Sequence, residues 1–349
     1  MYMPYYPPQP PPYGIVPPEE LQKQAERSAL KKRGIGIGLA LVGMLAVSSV
    51  VSSIGYAVLM LFAQTDFQNG SEAFLYMAPT VYYLFYMVLY LMMVVLPFAV
   101  LIPIFHLRLR DVYPLRRTGR PGLVLLACIG GLAVCMISNY LTSEYVMVLE
   151  SFGIGDASSA LPLDNSPAGK VMYLIIVAVL PAFAEEFAFR GVAFQLLRPY
   201  GKTLAIFGSA FVFGIMHGNL VQIPFAFVVG LFFGYVVAET GSIWPAVLMH
   251  FLNNGFSVLQ EFALEGLSET ASMHMVYLSY ILVTLIGLLA LVCVLRQDRH
   301  FFRVQEDCTT RLGNKDKFRA FVGNVGMILA FVALGIEVLA SINWSVVYG

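Results

Sequence analysis

The fold class predicted for this chain is all-α: a polytopic transmembrane helix bundle of about nine spans. Three observations predict it. The 349 residues are 58% hydrophobic and only 12% charged, with a mean hydropathy of +0.75, which leaves too little polar surface for a soluble fold of this size. Apolar segments recur along the chain, most of them near the roughly 17–25 residues that cross a bilayer. Between them the cations fall in alternate loops, as the positive-inside rule requires.

Residues 1–33 open on a Pro/Tyr-rich run, Met1 to Tyr13, and end with Lys23, Arg27, Lys31, Lys32 and Arg33. Proline cannot donate a backbone hydrogen bond and favours extended conformations, so a disordered basic cytoplasmic tail is expected. A solvated tail is the plain reading; a docking ligand for a proline-reading partner is the second. A polar leader of this length, followed by so long an apolar run, does not read as a secretory signal. The N-terminal helices, 34–169, hold segments near 34–63, 79–105 and 121–143. A central block, 170–260, holds 170–197, 202–217, 220–238 and 241–260. The C-terminal block, 261–349, holds 273–295 and 320–342, separated by a basic loop at 296–319.

With the N-terminus in the cytoplasm, 19 of the 21 Lys and Arg residues fall on that side; Lys170 and Arg190 are the other two. The opposite loops carry Asp66, Glu72, Glu144, Glu150, Asp156, Asp164, Glu261, Glu265 and Glu269. That asymmetry predicts a multi-pass cell-membrane protein, bacterial inner membrane by style, with its N-terminus inside and its C-terminus outside. Zero net charge and a near-neutral pI give no reason to expect a nucleic-acid partner. Cys128, Cys135, Cys293 and Cys308 lack metal-site spacing and read as packing residues. Gly34, Gly36 and Gly38 follow no strand and make no nucleotide fingerprint. Ala226, Gly230 and Gly234, spaced by four, are expected to let two helices approach closely, and the Tyr82, Tyr86, Tyr90 stripe to serve packing or a wet face.

The chemistry concentrates in Ala182-Phe-Ala-Glu185-Glu186-Phe-Ala-Phe-Arg190-Gly191, three charges inside a bilayer-length apolar run. A charge at membrane depth costs at least a few kcal/mol, so such a run is a functional-site hypothesis by default. On a helix Glu186 and Arg190 share a face, while Glu185 is turned about 100° away and is left free to work. His217 ends the fifth segment, and His250 precedes Asn254 by one turn in the seventh. At 1.5 Å per residue, Glu185, His217 and His250 sit at roughly 18, 22 and 13 Å from the cytoplasmic helix ends, close enough in depth to meet. The segments 202–217 and 220–238 are short for two crossings, which puts the His217 turn at membrane depth. Non-helical backbone there must be buried or line a wet cavity, and a cytoplasm-facing pocket is the expectation. Taken singly, each residue has a structural explanation: a packing histidine, a helix-stabilising ion pair, an amide joining two helices. Their fall at similar depth in successive segments argues for a site.

In this order, Glu185-Glu186-x-x-x-Arg190, Phe213-x-x-x-His217 and His250-x-x-x-Asn254 resemble the CPBP family over about 170–260. That family comprises the CAAX prenyl endopeptidases that cleave after prenylation, with bacterial lysostaphin-resistance-A-like and bacteriocin-immunity (Abi) relatives. The resemblance implies an intramembrane endopeptidase acting on a membrane-associated protein or peptide. It implies that Glu185 and His217 hold and activate water, that His250 and Asn254 stabilise the oxyanion, and that Glu186 and Arg190 orient Glu185. The family is often described as metalloproteases, and Glu185, His217 and His250 would be the ligands of a zinc ion; a metal-free glutamate mechanism uses the same residues. Two rivals stay open: a non-catalytic immunity or scaffold protein, and a proton-coupled transporter, since Glu and His chains also relay protons. Membrane lipids are the remaining expected partners.

Overall fold

A computed structural model describes residues 18–63, 79–114, 119–156 and 161–343. The chain is helical almost throughout: α1 (Pro18–Ala63), α2 (Pro79–Ile104), α3 (Pro121–Ser151), α4 (Pro167–Tyr200), α5 (Lys202–Ile215), α6 (Gln222–Thr240), α7 (Trp244–Leu264), α8 (Glu269–Gln297), α9 (Asn314–Val322) and α10 (Val325–Ala340). Two-residue strands, Gly155–Asp156 and Ile342–Asn343, pair antiparallel and tie the end of α3 to the end of α10. The polytopic all-α bundle expected from hydropathy is therefore the fold found.

The span count differs from about nine. Among the described residues six helices are long and apolar enough to cross a membrane, seven if the bent pair α9–α10 is one span. The expected 202–217 segment is the 14-residue α5, about 21 Å long against a hydrocarbon core of about 30 Å. The 241–260 segment becomes α7, whose apolar character is diluted by His250, Asn253, Asn254 and Gln260. The 320–342 segment breaks by 64° at Gly323–Asn324, where the Asn324 side chain accepts from the Met327 N–H at 3.1 Å and starts α10.

A second correction concerns the tail. Residues 18–33 are helix, not disordered chain; the proline-rich residues 1–17, with the docking role expected of them, lie outside the described residues. Pro18 suits a first helical position and Glu19 and Glu20 complement the positive end of the helix dipole. Tertiary contacts hold the extension: Glu26 accepts from Thr310 and the Arg311 N–H, Arg27 pairs with Asp316, and Arg33 donates to the Leu196 carbonyl at 2.8 Å. Further up α1, a Cβ on Gly38 would lie 2.2 Å from the Gly326 backbone and one on Gly34 2.6 Å from the Phe321 carbonyl, so these two serve the close approach of α1 to the α9–α10 bend, while Gly36 faces Phe105 after α2.

Ion pairs sort the loops onto two faces. Arg120–Asp298, Arg198–Asp307 and Lys202–Glu239 join α3, α4, α5, α6 and the 298–312 loop on one basic face with the start of α1. Lys170 pairs with Glu265 on the other face, where Tyr173 donates to Glu261. On the basic face the Arg198 guanidinium holds the Asp307 carboxyl below its ordinary range. Because the folded value is the depressed one, this stabilisation is present above the ordinary aspartate range and is lost as pH falls through the folded value. Asp307→Asn should therefore speed amide hydrogen exchange across 302–312 at neutral pH while leaving helix content unchanged. The wild-type loop should approach the same behaviour only in acid below about pH 4.

Candidate active site

The site is built from a helix whose backbone departs from regular α geometry. Within α4, π-helical turns at Ile175–Val179 and Phe187–Ala193 flank Leu180–Glu186. Such turns concentrate at functional positions because they re-aim side chains. Pro181 lacks the N–H that an α-helix would direct at the Val177 carbonyl. That carbonyl accepts from Asn254 Nδ2 of α7 at 3.0 Å. Asn253 Nδ2 donates to Asn254 Oδ1 at 3.1 Å, and Asn139 of α3 reaches Asn253 at 3.5 Å.

One turn along α4, Glu186 and Arg190 have no exposed surface. Arg190 Nη1 donates to Glu186 Oε1 at 2.9 Å and Nη2 to the Gly230 carbonyl of α6 at 3.3 Å. The guanidinium lies over the Phe213 ring at 4.3 Å and near Phe233 at 5.6 Å, two cation–π faces that replace part of its lost hydration. Gly230 packs against Ala210 of α5 at 3.2 Å for an added Cβ, the close approach expected of the small-residue stripe.

Glu186 Oε1 also lies 2.9 Å from His250 Nδ1. An ionised carboxylate only accepts, so Nδ1 carries the proton and Nε2 is the nitrogen turned toward Glu185, 3.7 Å from its Oε2. Glu185, 5% exposed, accepts a hydrogen bond from the Tyr90 hydroxyl of α2, and Tyr86 stacks on Tyr90 at 6.3 Å. Of the six residues singled out by sequence, Arg190, Glu186 and His250 form one bonded cluster with Glu185 and Tyr90 beside it, and Asn254 belongs to a second, with Asn253 and Asn139, tied to the same α4 at the Val177 carbonyl. His217 comes to the same cavity by another route. It sits in the turn after α5, its Nδ1 is 2.9 Å from the Phe213 carbonyl, and it lines the cavity with Glu185 and His250. Asn219 closes that turn, accepting from the Gln222 N–H at 2.7 Å.

Tyr90, Asn139 and Asn253 were not singled out for chemistry. The tyrosine stripe was the one available signal, and of its two readings the wet face is the one found at Tyr86 and Tyr90. The cavity they share measures about 590 Å³. Its lining runs from Met93, Glu185, Phe213, Phe233 and His250 to Tyr86, Thr142, Pro181, Gln222 and Ser257. The second set lies farther from the basic face on each helix. Fully buried Phe189, Arg190 and Phe233 fill the basic side.

The donor set for a metal does not gather. Among the described residues no three His, Cys, Asp or Glu side chains are arranged to hold an ion. The Nδ1 bonds of His250 to Glu186 and of His217 to Phe213 leave each Nε2 available and do not bear on that result. No step below passes through a metal.

Fold and site together define a polytopic helical membrane protein with a carboxylate–imidazole cluster at the bottom of an intramembrane cavity. Residues 167–256 match the family described as "Type II CAAX prenyl endopeptidase Rce1-like", which bears out over that segment the recognition made from the three motifs. The chain is also 30% identical over 147 residues to the protein named "Putative membrane peptidase YdiL" of Bacillus subtilis (strain 168). That alignment covers 40% of this chain and 57% of the relative's length. No solved structure matches. All six motif residues fall inside 167–256, whereas Tyr90 and Asn139 lie outside it.

Removing one member of a fully buried ion pair strands the other, at a cost of about 3–5 kcal/mol. Arg190→Leu should accordingly lower thermal stability in detergent sharply. Adding Glu186→Gln should recover part of the loss, because the stranded carboxylate is then neutral.

Proposed function

We propose that this chain is an intramembrane endopeptidase in which Glu185 is the general base. The observation that carries the reading is the position of Glu185: a buried carboxylate lining a cavity of mixed polar and apolar wall, with Tyr90 on one oxygen and His250 Nε2 beside the other. Glu185 takes a proton from a water held between it and His217, and the water oxygen attacks the peptide carbonyl carbon. The negative charge that develops on the carbonyl oxygen is met by the second N–H of Asn254 and, when the ring carries both protons, by Nε2–H of His250. Glu185 then gives its proton to the leaving nitrogen, the C–N bond breaks, and a carboxylic acid and an amine depart.

Glu186 and Arg190 act through their neighbours. Glu186 holds the His250 ring in one tautomer and orientation, and Arg190 pairs with Glu186 and fixes the turn that bears Glu185. The substrate is a protein or peptide associated with the membrane, and the protein is a multi-pass cell-membrane protein, with its basic face in the cytoplasm and the end of α10 outside.

Purified protein in lipid or detergent, given a quenched fluorogenic peptide library with a chelator present, should cleave. Glu185→Gln keeps size and should reduce the rate by at least about 100-fold. An active Glu185→Gln protein, or a wild-type chain that cleaves nothing while remaining folded, would sink the peptidase reading.

Tyr90→Phe deletes one hydrogen bond to a charged group, worth about 1.5–3 kcal/mol, and should lower kcat about 10- to 100-fold with KM little changed. An unchanged kcat would make the hydroxyl a packing feature.

A further inference from the structure

The arrangement of the cavity along its helices says which side of the membrane it serves. The direction of each helix is fixed by the pairs on the basic face. Arg198 and Lys202 place the C-terminal end of α4 and the start of α5 there, and Glu239 places the end of α6. α7 starts two residues after the turn that follows α6, and so runs away from the same face.

Followed in that direction, every wall tells the same story. On α7 the cavity begins at His250 and is still lined at Ser257, two turns farther from the basic face. On α6 it runs from Phe233 back to Gln222, the far end of that helix. On α4 it extends from Glu185 to Pro181, again away from the basic end. Toward the basic face its lining gives way to packed aromatic rings: Phe189 packs on Phe213 at 5.4 Å, and the half-buried Tyr113 stacks on Phe187 at 5.6 Å. No charged side chain of the basic face borders the cavity.

The charge count assigns the faces. The sequence pattern assigns 19 of the 21 cations to one side; in the structure Lys170 lies on the other beside Glu265, and Arg190 is internal. The bias of Lys and Arg sets orientation in membranes, so the basic face is cytoplasmic. We propose that the cavity is entered from the extracytoplasmic side, and that the bond it hydrolyses belongs to a protein or peptide presented at the outer leaflet. The substrate class rests on the peptidase reading; the side of entry does not. A lipidated C-terminus made and anchored on the cytoplasmic side meets the aromatic plug, and is not a substrate of this geometry.

The test reads accessibility rather than cleavage. In the full chain with its four cysteines replaced by serine or alanine, Ser257→Cys and Thr142→Cys mark the part of the cavity lining farthest from the basic face and Arg110→Cys marks the basic face. Intact cells or spheroplasts are treated with a membrane-impermeant sulfonated maleimide, before and after permeabilisation. The expected result is full modification of Ser257→Cys and Thr142→Cys in intact cells, and modification of Arg110→Cys only after permeabilisation. The reverse pattern overturns the proposal, and so does failure of both cavity cysteines to react under either condition. Should the cysteine-free chain fail to accumulate, antibody binding to a C-terminal tag on the wild-type chain tests the orientation. Binding to intact cells is expected, and binding only after permeabilisation overturns it. External labelling in a protein that cleaves no peptide would sink the peptidase reading alone; cleavage with internal labelling would sink only the side of entry.

Discussion

A guanidinium with no exposed surface, at membrane depth, is the constraint around which the central helices are arranged. Moving an ion of this kind out of water costs several kcal/mol, repaid only where geometry and hydrogen bonding are both good. Arg190 meets part of that demand with partners from three helices, Glu186 on its own α4, the Gly230 carbonyl on α6, and the ring faces of Phe213 on α5 and Phe233 on α6, while its Nε and Glu186 Oε2 are buried without a hydrogen-bond partner. Glu186 passes the constraint to α7 by binding His250. Four helices are therefore held in one register by a single charged cluster. Glu185, the adjacent residue turned about 100° around the same helix, inherits a fixed position without joining that cluster directly.

This division explains two consecutive glutamates. One carboxylate is spent on structure, held by a permanent cation and an imidazole, while the next faces the cavity. A single glutamate bound to Arg190 would be too well neutralised to act as a base. A single glutamate without Arg190 would have nothing to fix the turn that carries it. The π-helical turn at 187–193 places Arg190 beneath Phe213 and Phe233, and the one at 175–179 meets Pro181 and Asn254 on the opposite side of Glu185. Both departures from regular helix border the same seven residues.

Much of this was legible in the chain before any coordinates. The Glu186–Arg190 pairing followed from helical spacing, and the helical bundle followed from hydropathy. The depth estimate for Glu185 and His250 was good enough to predict that they meet. What hydropathy could not supply was the kink at Gly323–Asn324 or the helical extension over 18–33, because both depend on contacts distant in sequence, such as Glu26 with Thr310. Tyr90 was hidden for a related reason: a tyrosine stripe has the same spacing whether it faces lipid, another helix or water, and only the tertiary approach of α2 to α4 distinguishes these. Depth measured along each helix gives the level at which residues meet, not the side from which that level is reached.

Asn254 shows how a structural and a chemical demand converge on one side chain. Pro181 frees a carbonyl inside the membrane, where water is scarce and an unpaired acceptor is costly. An amide is well suited to answer it, since its nitrogen carries two donors and the Val177 carbonyl occupies one. The remaining N–H belongs to a residue that lines the cavity one helical turn from His250, with its orientation already set by the bond to α4 and by Asn253 behind it. A donor fixed in this way need not reorganise when charge develops nearby, which is the condition under which such donors contribute most to catalysis. The proline that weakens the helix thus also provides the anchor that holds the amide still.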